Sequence, residues 1–145
     1  MKISPYLYFN GNAAEAIALY ERAFGGKAIV MRYRDVGSYD KSYTVPKGTE
    51  DYVMHANMNL GSEMIMCCDT PEKTNAGDCV QLLVMLESTE RVKAIFATLK
   101  EGGIVVMEPQ KTFWSECFCS VKDKFGVCWL LSYENATQKS QTYGE

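Results

Sequence analysis

The residues with the most chemistry in them stand on one short stretch, residues 51–60, DYVMHANMNL. Side chains of an extended strand alternate between two faces. Val53, His55, Asn57 and Asn59 therefore share one face, and Tyr52, Met54, Ala56, Met58 and Leu60 share the other. His55 is the one histidine in the chain. An imidazole can take up a proton near neutral pH, so His55 is the best candidate for a general base or a ligand anchor. The carboxamides beside it would orient a small molecule. The competing reading is a histidine hydrogen-bonded to a neighbouring strand or a partner chain, because one histidine without a nearby nucleophile is not a catalytic constellation.

Six cysteines also need an account: Cys67, Cys68, Cys79, Cys117, Cys119 and Cys128. None has the C-x-x-C spacing of a zinc or redox site, so no metal site and no cofactor is expected. Cys117 and Cys119 share a strand face and could form a reactive pair. With no cation in evidence to lower a thiol pKa, packing as small hydrophobes is the expected role. Phe113, Trp114, Trp129 and Tyr8 could wall an apolar pocket or anchor a core or dimer interface, the second role suiting Trp129. Glu63, Glu108 and Glu116 show no pairing by spacing. Glu116 faces either a ligand trough or a solvent-exposed edge.

The chain has 145 residues and a formal net charge of −3. It has no basic run and no basic helix face, so nucleic acid and anionic membrane are poor partners. The opening MKISPYLYF lacks the apolar core of an export signal, and no apolar run approaches the ~20 residues of a membrane span. A cytoplasmic location with reduced thiols is the expectation.

These residues must be positioned by elements that the periodicity describes. Residues 5–10 read as a strand. Ala13–Phe24 reads as an amphipathic helix, with Asn12 as N-cap and Gly25-Gly26 as the stop. Residues 27–33 form a second strand, 35–50 a long loop, 51–60 a third strand and 63–68 a fourth. A polar linker, 70–78, follows. The pattern then restarts with a strand at 79–86, a helix at 89–101 capped by Ser88 or Thr89, and Gly102-Gly103. A strand at 104–107 ends before Pro109. A hairpin over 113–132 turns at Asp123-Lys124-Phe125-Gly126, where Asp caps the turn and Gly takes positive φ. The tail, 134–145, is expected to fray.

Each half is thus strand, helix, Gly-Gly, strand and hairpin, an internal duplication. The expected fold class is α+β: two βαβββ modules, 1–69 and 79–133, forming a curved eight-stranded mixed sheet with the helices outside. The whole chain would be one domain whose inner face is a trough.

PYLYFNGNAAEAIALYERAFGGK, VMHANMNLG, the FW pair and D-x-F-G-x-x-W resemble the vicinal oxygen chelate superfamily, which includes glyoxalase I, bleomycin-resistance proteins and extradiol dioxygenases. The branch they resemble is the PhnB-like one. The resemblance spans residues 3–133. It departs from the branch at Lys124, where proline is usual, and at Ser115, where glycine is frequent. It implies a glyoxalase-like fold, usually dimeric, with the trough as the site. Metal-using members place ligands at positions that here hold Pro5, His55, Gln81 and Leu130. Pro5 and Leu130 have no side-chain donor, and Gln81 is a weak one, so metal-dependent chemistry is not expected. The resemblance implies a small-molecule-binding protein or a metal-independent enzyme, assembled as a homodimer. His55 and Gln81 would give polar contacts, and Trp114, Leu7, Phe9 and Leu130 the walls. The alternatives are a metal-dependent lyase, isomerase or dioxygenase, and an interaction protein whose own side chains fill the trough.

Overall fold

A computed structural model of the chain describes residues 1–143, and the side chains of residues 1–140. The chain divides into two compact units, Met1–Asn75 and Ala76–Glu145. The first holds β1 (Tyr6–Phe9), α1 (Ala13–Phe24), β2 (Ala28–Arg32), β3 (Val53–Leu60) and β4 (Glu63–Asp69). The second holds β5 (Leu82–Met85), α2 (Thr89–Leu99), β6 (Ile104–Gln110), β7 (Cys117–Lys122), β8 (Cys128–Tyr133) and α3 (Ala136–Tyr143). The first unit's sheet runs β1-β4-β3-β2 and the second's β5-β8-β7-β6. In each, the first strand pairs parallel to the last and the other pairings are antiparallel. The duplication read from the sequence is therefore present strand for strand, in an α+β glyoxalase-like fold whose eight strands are hydrogen-bonded four to a unit.

α1 forms where its apolar stripe requires. Ala13, Ala16, Ile17, Tyr20 and Ala23 are all buried, and the helix packs on β3 and β4. It ends where the Gly25 N–H bonds to the Glu21 carbonyl. Its start corrects the sequence reading. Asn12 occupies the cap position, but its side chain makes no capping bond. The Ala13 N–H goes instead to Asp69 Oδ1 at 2.9 Å, and the same carboxylate takes the Val53 N–H on Oδ2 at 2.9 Å. A buried carboxylate from the end of β4 thus ties α1 to β3.

α2 buries Val92, Ile95, Phe96 and Leu99 against β7 and β8 and is capped by Ser88 Oγ, which accepts the Arg91 N–H. Each such side chain contributes about 1.5–3 kcal/mol through burial. The helix stops at Leu99, two residues short of the expected end. A side chain at Gly103 would meet the Lys122 carbonyl at 2.4 Å, so the entry to β6 requires glycine there. β6 itself runs through Pro109, which was expected to end it. β6 is an edge strand whose pairing with β7 shifts register between Met107 and Gln110, so the missing proline N–H costs no ladder bond.

The β7–β8 turn follows its sequence signal. Asp123 Oδ1 accepts the Phe125 and Val127 N–H groups, Oδ2 accepts Trp129 Nε1–H at 2.9 Å, and Gly126 has φ +88°. The first strand of the hairpin starts at Cys117, later than the sequence suggested. The fully buried Ser115 turns its hydroxyl onto the Cys117 and Tyr133 carbonyls, and the chain before it is irregular.

Two expectations fail for local reasons. Part of the 35–50 loop is a 3-10 helix, Tyr33–Ser38, closed by Asp35 on the Arg32 N–H and pinned by the buried Val36. The polar tail is helical through α3, where Asn135 and Gln138 bond reciprocally to each other's backbone N–H in a capping box. The rest of the expected fraying, at 144–145, lies outside the described residues.

Candidate functional site

In the first unit, the strand residues beneath α1 are Phe9, Ala56, Met58, Ile65 and Cys67, all buried. Strand alternation sends their neighbours to the face that α1 leaves uncovered. These are Tyr6 and Tyr8 of β1, His55 and Asn57 of β3, and Met66 and Cys68 of β4. The register aligns them: Tyr6 pairs with Met66, Met66 with Asn57, and Tyr8 with Cys68.

Here Tyr6, His55 and Asn57 form one hydrogen-bonded line. Asn57 Oδ1 lies 3.0 Å from His55 Nε2, and the Tyr6 hydroxyl lies 2.9 Å from Nδ1. A carboxamide oxygen only accepts, so Nε2 carries the hydrogen. Nδ1 is then an acceptor, and Tyr6 O–H donates to it. Burial, with the adjacent Cys68 thiol, pushes the Tyr6 phenol well above its ordinary pKa. It therefore stays protonated and remains a donor. The Tyr6 ring stands 5.7 Å from the imidazole and 5.3 Å from the Tyr8 ring, which is 58% exposed.

Other sequence candidates fall elsewhere. Val53 was expected beside His55. A register shift between Met31 and Arg32 turns it inward, where it is fully buried. Leu7 and Phe9, expected as ligand walls, alternate with Tyr6 and Tyr8 and so lie on the α1 side of the sheet, Phe9 being 4% exposed. His55, Leu7 and Phe9 belong to the first unit, and Gln81, Trp114 and Leu130 to the second.

In the second unit, Leu130 lies on the corresponding uncovered face, paired with Leu83 and Ser120. Trp114 packs edge-on against Phe118 at 5.6 Å and Phe113 at 4.7 Å. Gln81 precedes β5, exposed, with its amide donating to the Asp78 carbonyl. Trp129 is fully buried and acts as a core anchor. Glu116 is held by Lys111 at 2.9 Å and Asn135 at 2.7 Å, while Glu63 and Glu108 are exposed. Cys117 and Cys119 are buried side by side under α2, and burial pushes Cys119 up to about 12 and raises Cys117. They are neutral packing groups at neutral pH.

The positions at which superfamily members hold a metal do not fit one here. Pro5 and Leu130 offer no side-chain ligand atom, both His55 nitrogens are already hydrogen-bonded, and the Gln81 amide is turned to a backbone carbonyl. No group of three His, Cys, Asp or Glu residues is placed to hold an ion among the described residues.

The family model described as 3-demethylubiquinone-9 3-methyltransferase matches residues 1–132. The chain belongs to that family. It is the PhnB-like branch of the vicinal oxygen chelate superfamily. Among its relatives, Protein YjdN of Escherichia coli is 31% identical over 139 residues, covering 91% of this chain and 95% of that protein. The structure of protein PA1353 from Pseudomonas aeruginosa is 29% identical with a TM-score of 0.79, covering 92% and 98% of the two chains. A PhnB protein from Bacillus cereus, described as a putative 3-demethylubiquinone-9 3-methyltransferase, is 28% identical with a TM-score of 0.73, covering 92% and 99%.

For this PhnB-like chain, the sequence singled out His55 and Asn57 but missed Tyr6. The signal was present: in Y-L-Y-F, Tyr6 must share a face with Tyr8. What was not local is that β4 carries β1 into reach of β3.

Proposed function

We propose that the protein binds a small, partly apolar molecule on the uncovered face that carries His55, as a binding protein or a metal-independent enzyme. Tyr6 and Tyr8 replace Leu7 and Phe9 as its aromatic wall. Gln81, Trp114 and Leu130 are the proposed ligand-contact residues of the second unit, taken by itself. The protein would act in the cytoplasm as a homodimer.

The observation that carries the reading is the Tyr6–His55–Asn57 line. Three polar side chains are ordered by one another on a half-exposed face, among aromatic and thioether groups, as ligand sites require. Any use of His55 as a base must first break the Tyr6 bond to Nδ1, so the resting ring is an oriented anchor. No helix of the described residues is long and apolar enough to cross a membrane, in keeping with the proposed location. The test is His55→Ala, screened against aromatic small molecules by ligand-observed NMR. Binding should be lost with the melting temperature nearly unchanged. A large drop in melting temperature with binding intact would refute the proposal.

A further inference from the structure

The hydrogen-bond directions on this face specify more than that something binds. Asn57 spends its oxygen on His55, so both hydrogens of Nδ2 are left over. No partner holds them among the described residues. The Tyr6 proton is spent on His55. Within the Tyr6–His55–Asn57 line, the hydrogens left for a ligand are thus those of a neutral N–H donor.

The surroundings limit what that donor can meet. Strand positions on this face hold Tyr6, Tyr8, Ile29, Met31 and Met66 around the polar line, and none of the face positions in β1–β4 is Lys, Arg, Asp or Glu. A carboxylate or phosphate would be desolvated here without a cation, and an ammonium without a carboxylate. The Tyr6 and Tyr8 rings, 5.3 Å apart and tilted by 39°, suit a flat apolar body. The methionines adapt to its outline.

We infer that this face takes a neutral, flat, largely apolar molecule bearing a carbonyl oxygen, and that Asn57 Nδ2 donates to that oxygen. Asn57 is then the specificity-determining residue, and His55 a positioning residue that holds the carboxamide with its N–H groups outward. The inference rests on the proposed binding function of the same face.

The test uses the full chain and three probes of one shape: 2-acetylnaphthalene, 2-ethylnaphthalene and 2-naphthoate. Binding is followed by the imidazole resonances of His55, assigned without ambiguity because the chain has one histidine. The ketone should bind about tenfold more tightly than the hydrocarbon or the carboxylate, the worth of one good hydrogen bond. Asn57→Asp keeps an acceptor for His55 Nε2–H and removes the donor. It should bring the ketone down to the hydrocarbon's affinity for the same variant. Equal affinity for all three in the wild-type protein, or a carboxylate that binds best, overturns the carbonyl assignment while leaving the binding face standing. If no probe moves the His55 resonances, the binding function of the face fails as well. The wild-type series decides the matter even if the variant does not fold.

Discussion

The two units lay the same backbone under two different chemistries. Tyr6 pairs with Met66 and Met66 with Asn57; Leu83 pairs with Leu130 and Leu130 with Ser120. The register therefore matches Tyr6 to Leu83, Asn57 to Ser120, His55 to Phe118 and Cys68 to Ser132. On the helix side the matched positions remain apolar in both: Ile65 and Trp129, Cys67 and Leu131, Ala56 and Cys119, Met58 and Val121, all buried. The face packed under a helix is restricted to shapes that fill a core. The uncovered face is not, and the two repeats differ there: one carries Tyr6, His55 and Asn57, the other Leu83, Phe118 and Ser120.

A second contrast lies in the two buried aspartates. Asp69, 2% exposed, and Asp123, 3% exposed, each accept backbone N–H groups. Asp123 serves its own turn and Trp129, whereas Asp69 joins two elements distant in sequence. Replacing either by Ala strands buried donors, each worth about 1–3 kcal/mol. Asp69→Ala and Asp123→Ala should each lower unfolding free energy in urea by about 3 kcal/mol. Losses below about 1 kcal/mol would show that these carboxylates do not organise their units.

A smaller effect should appear in alkali. Burial pushes Cys67 of the first unit and Cys119 of the second up to about 12. The folded chain thus holds these protons more tightly than the unfolded one, whose thiols titrate near ~8.5. The stability this supplies is complete below that pH and is lost as pH rises toward 12. The urea midpoint should be level up to about pH 8.5 and fall above it, with a shallower fall in Cys67→Ala/Cys119→Ala. A midpoint that stays level in the native protein to pH 10.5 would contradict the burial of both thiols.

Local physics made part of this legible in advance. The bounds of α1, its Gly25 stop, the Ser88 cap and the Asp123–Gly126 turn each depend on residues a few places apart. The pairing of His55 with Asn57 was equally local, since strand neighbours two apart share a face. What escaped depended on distant partners. Asp69 displaced Asn12 as the helix cap, a register shift turned Val53 inward, and β4 brought Tyr6 to His55. In Y-L-Y-F both faces are apolar or aromatic, so alternation alone could not say which side α1 would cover. Leu7 and Phe9 were assigned to the site for that reason.

The most direct test of the account is the tautomer of His55. In 15N-labelled protein the neutral ring should show a pyrrole-type Nε2 bearing hydrogen and an Nδ1 accepting a bond, and Tyr6→Phe should remove that acceptor signature. A hydrogen on Nδ1, or the averaged tautomers of a free imidazole, would contradict the Tyr6–His55–Asn57 line and the site built on it.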